Sequence, residues 1–352
     1  MKAAITEGKG DIRLVEVPMP EPDSYQCLCK ILACATCTGT DMKIIRHKLP
    51  WHQDYPGIVG HESIGRVIKS GNKVRNIKEG DVFLRPTAVY AGEKLGDYYS
   101  LWGGFAEYGL VTDGQALQED FPKKELHFYV QFQMKLPRNL PVSPADATML
   151  ITLKETAGFV MSLKVTLNTP LTILGTGAVG MSMCFFAKLI GAYPIIIIGR
   201  RDEALERMKK FGANFLINNS PPTYTSPAGG EGWASKVKEC TDGKGVELVI
   251  DTAGDEKLLS ESVSLLSETG KVAVYASFEI SNPTQNLDQN KIAQGATGEV
   301  PAHNYILDLV RLNLIPLKDF YSHRMPFSEI VKGFEMLKKK EAFKIVFEMG
   351  ST

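Results

Sequence analysis

The chain has 352 residues, 44% of them hydrophobic and 23% charged, with Lys plus Arg and Asp plus Glu balanced at 40 each. That composition belongs to an ordinary soluble globular protein, and the length predicts two domains. The charge balance excludes the basic excess of a nucleic-acid or membrane-surface protein, and no apolar run is long enough to span a bilayer. The N-terminus runs from Met1-Lys2-Ala3-Ala4-Ile5 into a strand pattern without a signal peptide. Six cysteines, at 27, 29, 34, 37, 184 and 240, do not form a disulfide framework in a chain of this length. A reducing, cytoplasmic setting is expected.

In chain order, the first 115 residues read as short strands and glycine turns, with no long helix. Ile12–Val17, Gln26–Leu32, Ser63–Ser70 and Val82–Arg85 have strand length and pattern, which predicts a compact antiparallel β barrel. Pro137, Pro141 and Pro144 precede helical spacing from Pro144 to Leu163. From Leu171 the pattern changes to apolar strands alternating with helices. The strands are Leu171–Leu174, Ile195–Ile198, Val246–Ile250 and Lys271–Tyr275, and the helices are Val179–Leu189, Glu203–Phe211 and Leu258–Leu266. This predicts a doubly wound parallel sheet. Pro221–Gly232 reads as a surface loop. Beyond residue 290 come a helix, Pro316 and a last strand, Lys344–Glu348.

Two motifs carry chemistry. Gly60-His61-Glu62 lies in a glycine frame, with Cys37 upstream. Imidazole, carboxylate and thiolate together suit a catalytic zinc with an open position. The alternative is a buried histidine beside a surface glutamate. The second motif, Gly175-Thr176-Gly177-Ala178-Val179-Gly180, follows a strand and opens a helix. Alone it is often only a tight turn, but in this context it is a dinucleotide fingerprint. The next strand ends in Gly199-Arg200-Arg201, where an NAD site carries an acidic residue. Two guanidinium groups and no carboxylate predict NADP(H).

With Gly57-Ile58-Val59-Gly60-His61-Glu62, Gly80-Asp81, Gly103-Gly104-Phe105-Ala106-Glu107-Tyr108 and the Lys344-Ile345-Val346 tail, the whole chain resembles the zinc-type medium-chain dehydrogenase/reductase family. The resemblance implies a GroES-like barrel from residues 1–153 and the return segment 295–352, and a Rossmann NADP(H) domain from 154–294. It also implies an NAD(P)-dependent alcohol/polyol dehydrogenase, with the active site in the cleft between the domains. Cys37 and His61 map onto the zinc ligands, and Glu62 onto the family's second carboxylate, which can bind zinc or exchange with water. A Thr38 or Thr40 hydroxyl relays the substrate proton, and zinc acts as a Lewis acid. Asp251-Thr252-Ala253-Gly254 approaches the nicotinamide ribose, and Lys344 reaches the pyrophosphate. Trp51, His52 and Trp102 border the substrate pocket.

Three departures stand out. The family reads Cys-Gly-Thr/Ser-Asp, whereas this chain reads Cys37-Thr38-Gly39-Thr40-Asp41. Alignment from the Gly-Thr-Asp side puts the ligand position at Thr38, and alignment from the preceding strand puts it at Cys37, which is preferred. Lys43 replaces a relay histidine, for which His47 or water can substitute. The hinge ligand position falls near Ile151 or Thr152, so Glu155, a helical turn on, is the candidate. The cysteine lobe for a structural zinc is absent, so one zinc per subunit is expected. The expected substrate is an alcohol, polyol or sugar, and the expected assembly a homodimer or homotetramer, with Lys271–Tyr275 pairing across an interface. A zinc-free NADPH reductase of a quinone or enone, and a non-catalytic NADPH-binding regulator, are the alternatives.

Overall fold

A computed structural model describes residues 1–220, 232–279, 282–296 and 298–350. The chain divides into two compact units, Met1–Ile151 with His303–Thr352, and Thr152–Ala302. The first unit begins with β1 (Lys2–Thr6), β2 (Arg13–Glu16), β3 (Gln26–Ala35), α1 (Thr38–Ile45), β4 (Gly57–Ile58) and β5 (Glu62–Ser70). Next come β6 (Val82–Leu84), β7 (Lys94–Leu95), β8 (Tyr98–Ser100), β9 (Tyr108–Thr112), α2 (Gly114–Asp120), β10 (Lys135–Leu136) and α3 (Pro144–Ser162). One five-stranded sheet runs β2-β1-β4-β8-β7. The expected strands are all present, and β3 extends to Ala35 because it is flanked by other strands and buried along most of its length. The short helices α1 and α2 stand where the pattern showed none. Thr38, Gly39 and Thr40 are weak helix formers. α1 is held by tertiary contact, with Thr38 Oγ1 donating to Phe343 O at 3.1 Å, and by a local brace in which Cys37 N–H donates to Asp41 Oδ2 at 2.8 Å.

The second unit carries β11 (Leu171–Leu174), α4 (Ala178–Ile190), β12 (Ile195–Gly199), α5 (Asp202–Lys209), β13 (Phe215–Asn218), α6 (Trp233–Glu239), β14 (Val246–Asp251), α7 (Glu256–Ser262) and β15 (Leu266–Val274). Its strands lie in the order β13-β12-β11-β14-β15, all parallel. This is the doubly wound order, with β11 at the centre and four consecutive isoleucines of β12 fully buried. Gly191, at φ +97°, closes α4 as a left-handed cap. The expected helix Leu258–Leu266 stops at Ser262. Val263–Leu265 is a 3₁₀ turn, and Leu266 already pairs with Val246. The outer side of β15 is partly taken by Ile292, which bridges Val272, and by Ala293 N–H, which donates to Val272 O at 2.8 Å. Of the expected loop, residues 221–231 lie outside the described residues, and Gly232 is the N-cap of α6.

The helix α8 (Glu299–Arg311) opens the return segment, followed by β16 (His323–Pro326), α9 (Ile330–Lys338) and β17 (Ile345–Glu348). The units meet in sequence at Ile151/Thr152 and Ala302/His303, against the expected 153/154 and 294/295. The second boundary falls later because the first turn of α8 is tied to α3. Lys154 Nζ lies 3.1 Å from Glu299 Oε1, both nearly fully buried, and a Cβ on Gly158 would strike the Gly298 backbone at 2.6 Å. The returning β17 pairs with β3 in a sheet ordered β10-β6-β5-β3-β17-β16, with β9 also on β3. Phe105, Phe334 and Phe347 interlock in the core of this unit, their centroids 5.8 to 6.3 Å apart. Each buried ring contributes about 1.5–3 kcal/mol.

Candidate metal centre and nucleotide site

Three strand ends bring the first site together. Antiparallel pairing of Ala35 with Glu62 sets the residues just past β3 against those just before β5. Pairing of Val346 with Ala35 brings the start of β17 to the same place. The tight bend before β5 needs Gly60, which has φ +98° and would put a Cβ 2.6 Å from Phe105 N. Candidate ligand atoms of Cys37, His61 and Glu62 consequently lie within 4.8 Å of one another. Thiolate, imidazole and carboxylate at this spacing fit a zinc ion.

Asp41 braces the group. Fully buried on α1, it accepts the Cys37 N–H through Oδ2 and lies 3.2 Å from His61 Nδ1 through Oδ1. A carboxylate against Nδ1 orients the ring and leaves Nε2 for a metal. Burial disfavours charge on His61, but Asp41 and then Cys37 override it, and the pKa rises well above 6.5. Arg85, also buried, donates to His61 O at 2.8 Å.

Lys344 is a correction. It is not a cofactor lysine: its side chain is 2% exposed, and Nζ lies 2.5 Å from Glu62 Oε2. Burial works against its charge, yet Glu62, with Cys37 behind it, raises its pKa above 10.5. The lysine stands just ahead of β17, which carries it into the sheet. Glu155, the expected hinge ligand, stands on α3 in the second unit, where the Tyr275 hydroxyl donates to its Oε2 at 3.2 Å. The threonines separate clearly. Thr38 Oγ1 donates to Phe343 O at 3.1 Å, whereas Thr40 Oγ1 lies 3.7 Å from Cys37 Sγ. His47 packs its ring on Tyr55 at 4.7 Å. All six cysteines are free, and burial pushes the Cys184 thiol up to about 12.

Beside this group, a cavity of about 440 Å³ is lined by Trp51, His52, Gln53, Asp54, Trp102 and Tyr129, among others. All three expected pocket residues line it. Trp102 joins cavity to centre, its ring centroid 5.8 Å from that of His61. It sits at φ +79°, a conformation that costs a bulky residue about 1–3 kcal/mol and persists only where the surroundings enforce it. His52 Nε2 meets Asp54 Oδ1 at 3.0 Å.

In the second unit each fingerprint glycine has its own reason. Gly175 turns at φ +112°, where a Cβ would meet Thr252 Oγ1 at 2.7 Å. At Gly180 a Cβ would strike Gly175 O at 2.4 Å. Around Gly177 there is nothing within 4 Å, so this is the open position that a pyrophosphate can approach. Gly177 caps α4, and Ala178 and Val179 form its first turn, presenting free N–H groups. The Thr252 hydroxyl, at the end of β14, donates to Leu174 O at 2.7 Å and ties this loop to β11. Gly199 is packed under Thr176 and Leu205. Arg201 is the N-cap of α5. Arg200 is 64% exposed but ion-paired with Asp255, a contact that sequence reasoning missed.

No described helix is long and apolar enough to cross a membrane. The family description "Alcohol dehydrogenase GroES-like domain" matches residues 23–121, and "Zinc-binding dehydrogenase" matches 178–297. L-threonine 3-dehydrogenase from Pyrococcus furiosus is 28% identical over 351 residues, covering 95% of this chain and 94% of that protein. Sorbitol dehydrogenase from Bombyx mori is 26% identical over 373 residues, covering 99% and 98%. The crystal structure of benzyl alcohol dehydrogenase from Acinetobacter calcoaceticus shares the fold, with a TM-score of 0.79 at 23% identity over 99% of each chain. With a GroES-like unit, a Rossmann unit and relatives matched along almost their whole length, this chain belongs to the zinc-type medium-chain dehydrogenase/reductase family of alcohol and polyol dehydrogenases.

Proposed function

We propose that the protein interconverts a secondary alcohol or polyol and the corresponding ketone, with NADP(H) as the hydride carrier and one zinc held by Cys37 and His61. The observation that carries this reading is the convergence of Cys37, His61 and Glu62 beside an aromatic and polar cavity. Zinc held there by Cys37 and His61 would supply Lewis acidity, and a nicotinamide cofactor would supply the hydride chemistry. The chain's own residues do the remainder. Asp41 fixes the His61 ring, and Lys344 holds Glu62 by one oxygen, so that this carboxylate is a part-time ligand. Thr40 is the proton relay, because Thr38 already donates to Phe343 O. Trp51, His52, Gln53 and Asp54 offer an apolar face and hydrogen-bonding groups to a polyhydroxylated substrate. Gly177 and the first turn of α4 take the pyrophosphate, and Arg200 and Arg201 take the 2′-phosphate.

Metal analysis of the purified protein with NADPH titration tests the proposal. About one zinc per chain, lost in Cys37→Ala, is expected from a single three-donor site. Turnover of secondary alcohols or polyols should favour NADP over NAD, and Arg200→Asp should shift the preference toward NAD. Equal efficiency with both cofactors would refute the NADP assignment. Activity on quinones or enones that survives chelation, in protein free of zinc, would replace the metal reading with direct hydride transfer.

A further inference from the structure

Two arginines stand where β12 ends, and the fold engages one of them with a carboxylate 55 residues away. Arg200 Nη2 is bound by Asp255 Oδ2. The other oxygen of the same carboxylate, Oδ1, accepts the Leu258 N–H at 3.0 Å and caps α7. Burial of Asp255 opposes its charge, but Leu258 N–H and then Arg200 hold its pKa below 3.8. The nearer acidic residue, Asp202, is differently engaged: its Oδ1 accepts Asn218 Nδ2 at 2.7 Å. Asp255 is therefore the carboxylate that meets the guanidinium.

We propose that Asp255 sets the strength of cofactor discrimination by competing with the adenosine 2′-phosphate for Arg200. This rests on the reading of Arg200 as a 2′-phosphate ligand. A guanidinium takes a phosphate best by a two-pronged approach along one edge of its fork. In this fold one prong is already on Asp255. A 2′-phosphate must displace the carboxylate or share the arginine with it, which puts two like charges within a few ångströms of each other. NADH has a neutral 2′-hydroxyl and meets no such repulsion. Asp255 accordingly weakens NADPH binding selectively, and moderates a preference that the arginines alone would make strong. The carboxylate is held in place by its second task, because the helix cap keeps it at the start of α7 whether or not Arg200 leaves.

The experiment measures dissociation constants of NADPH and NADH for the intact protein and for Asp255→Asn, Asp255→Ser, Arg200→Gln and the Arg200→Gln/Asp255→Asn double variant. Asn and Ser both retain a helix-capping oxygen, so α7 is preserved. Both Asp255 variants should bind NADPH about three- to tenfold more tightly, with NADH changed by less than about twofold, the range of an exposed charge interaction. The gain should shrink at high salt and vanish in the Arg200→Gln background. An NADPH-to-NADH affinity ratio that is unchanged or reduced in both Asp255 variants overturns the inference. So does a common loss of affinity for both cofactors, which would assign Asp255 to the fold alone. Failure of the underlying NADP reading shows elsewhere: the wild-type protein would bind NADH as tightly as NADPH, and Arg200→Gln would leave the ratio unaltered.

Discussion

Replacing Lys344 with Met separates the two roles of Glu62. The lysine and the glutamate are each 2% exposed and 2.5 Å apart, and Lys344 is held charged by its surroundings. Met keeps the length and apolar stem of the side chain but removes the ammonium. The substitution removes the ammonium from a buried ion pair, a loss of about 3–5 kcal/mol. For a unit of this size each kcal/mol moves the midpoint about 2–4 °C, so the chelated variant should melt about 6–20 °C below wild type. Zinc changes the outcome, because without the Lys344 ammonium the Glu62 carboxylate binds more strongly to a cation placed between Cys37 and His61. Thermal unfolding followed by circular dichroism, in chelator and then with zinc, reads both effects. Zinc should recover at least half of the variant's deficit and bind it more tightly than wild type. The Lys344→Met/Glu62→Gln double variant should regain most of the lost stability in chelator without gaining zinc affinity. Equal melting of wild type and Lys344→Met in chelator would refute the reasoning. An identical zinc-induced shift in the two proteins would also refute it.

Gly177→Val should fold with wild-type stability, since the space around Gly177 is open, yet lose more than about tenfold in NADPH affinity as the side chain fills the pyrophosphate approach; isothermal titration beside a melting curve distinguishes this from a general packing defect. Asp113 is 3% exposed and accepts the backbone N–H groups of Arg75 and Asn76 at 2.8 Å and of Ala116 at 3.0 Å. Asp113→Ala should cost about 2–4 kcal/mol near neutral pH, measured by urea unfolding. Burial opposes the Asp113 charge, but these N–H groups hold its pKa below 3.8. The contribution is therefore complete above that value and is lost as pH falls through the lowered pKa, and the gap between variant and wild type should narrow in acid.

The fold was readable wherever local pattern and burial agree. The isoleucine run of β12, the glycine fingerprint before α4 and the glycine frame before β5 each state one requirement, and the structure meets it with the backbone those residues favour. Helix α1 was not readable, because a Thr-Gly-Thr stretch has little intrinsic helicity and its first turn is tied through Thr38 to Phe343, 305 positions away in the chain. The end of the predicted helix at 258–266 failed for a related reason: Leu266 is recruited by pairing with Val246 from another strand, which no local window contains.

For the site, residue types alone proposed Cys37 and His61 as metal donors and the arginines at the end of β12 as a cofactor-selecting feature, and the structure brings Cys37 and His61 together with Glu62. Only the tertiary structure decided the partners. Lys344 faces Glu62, Asp41 faces His61, Asp255 faces Arg200 and Tyr275 faces Glu155, pairs separated by 20 to 282 positions in the chain. The physical reason is that ligand chemistry is a property of a single side chain and is written where that side chain stands. Charge neutralisation and ring orientation are properties of pairs, and strand register and helix docking determine which side chains become pairs.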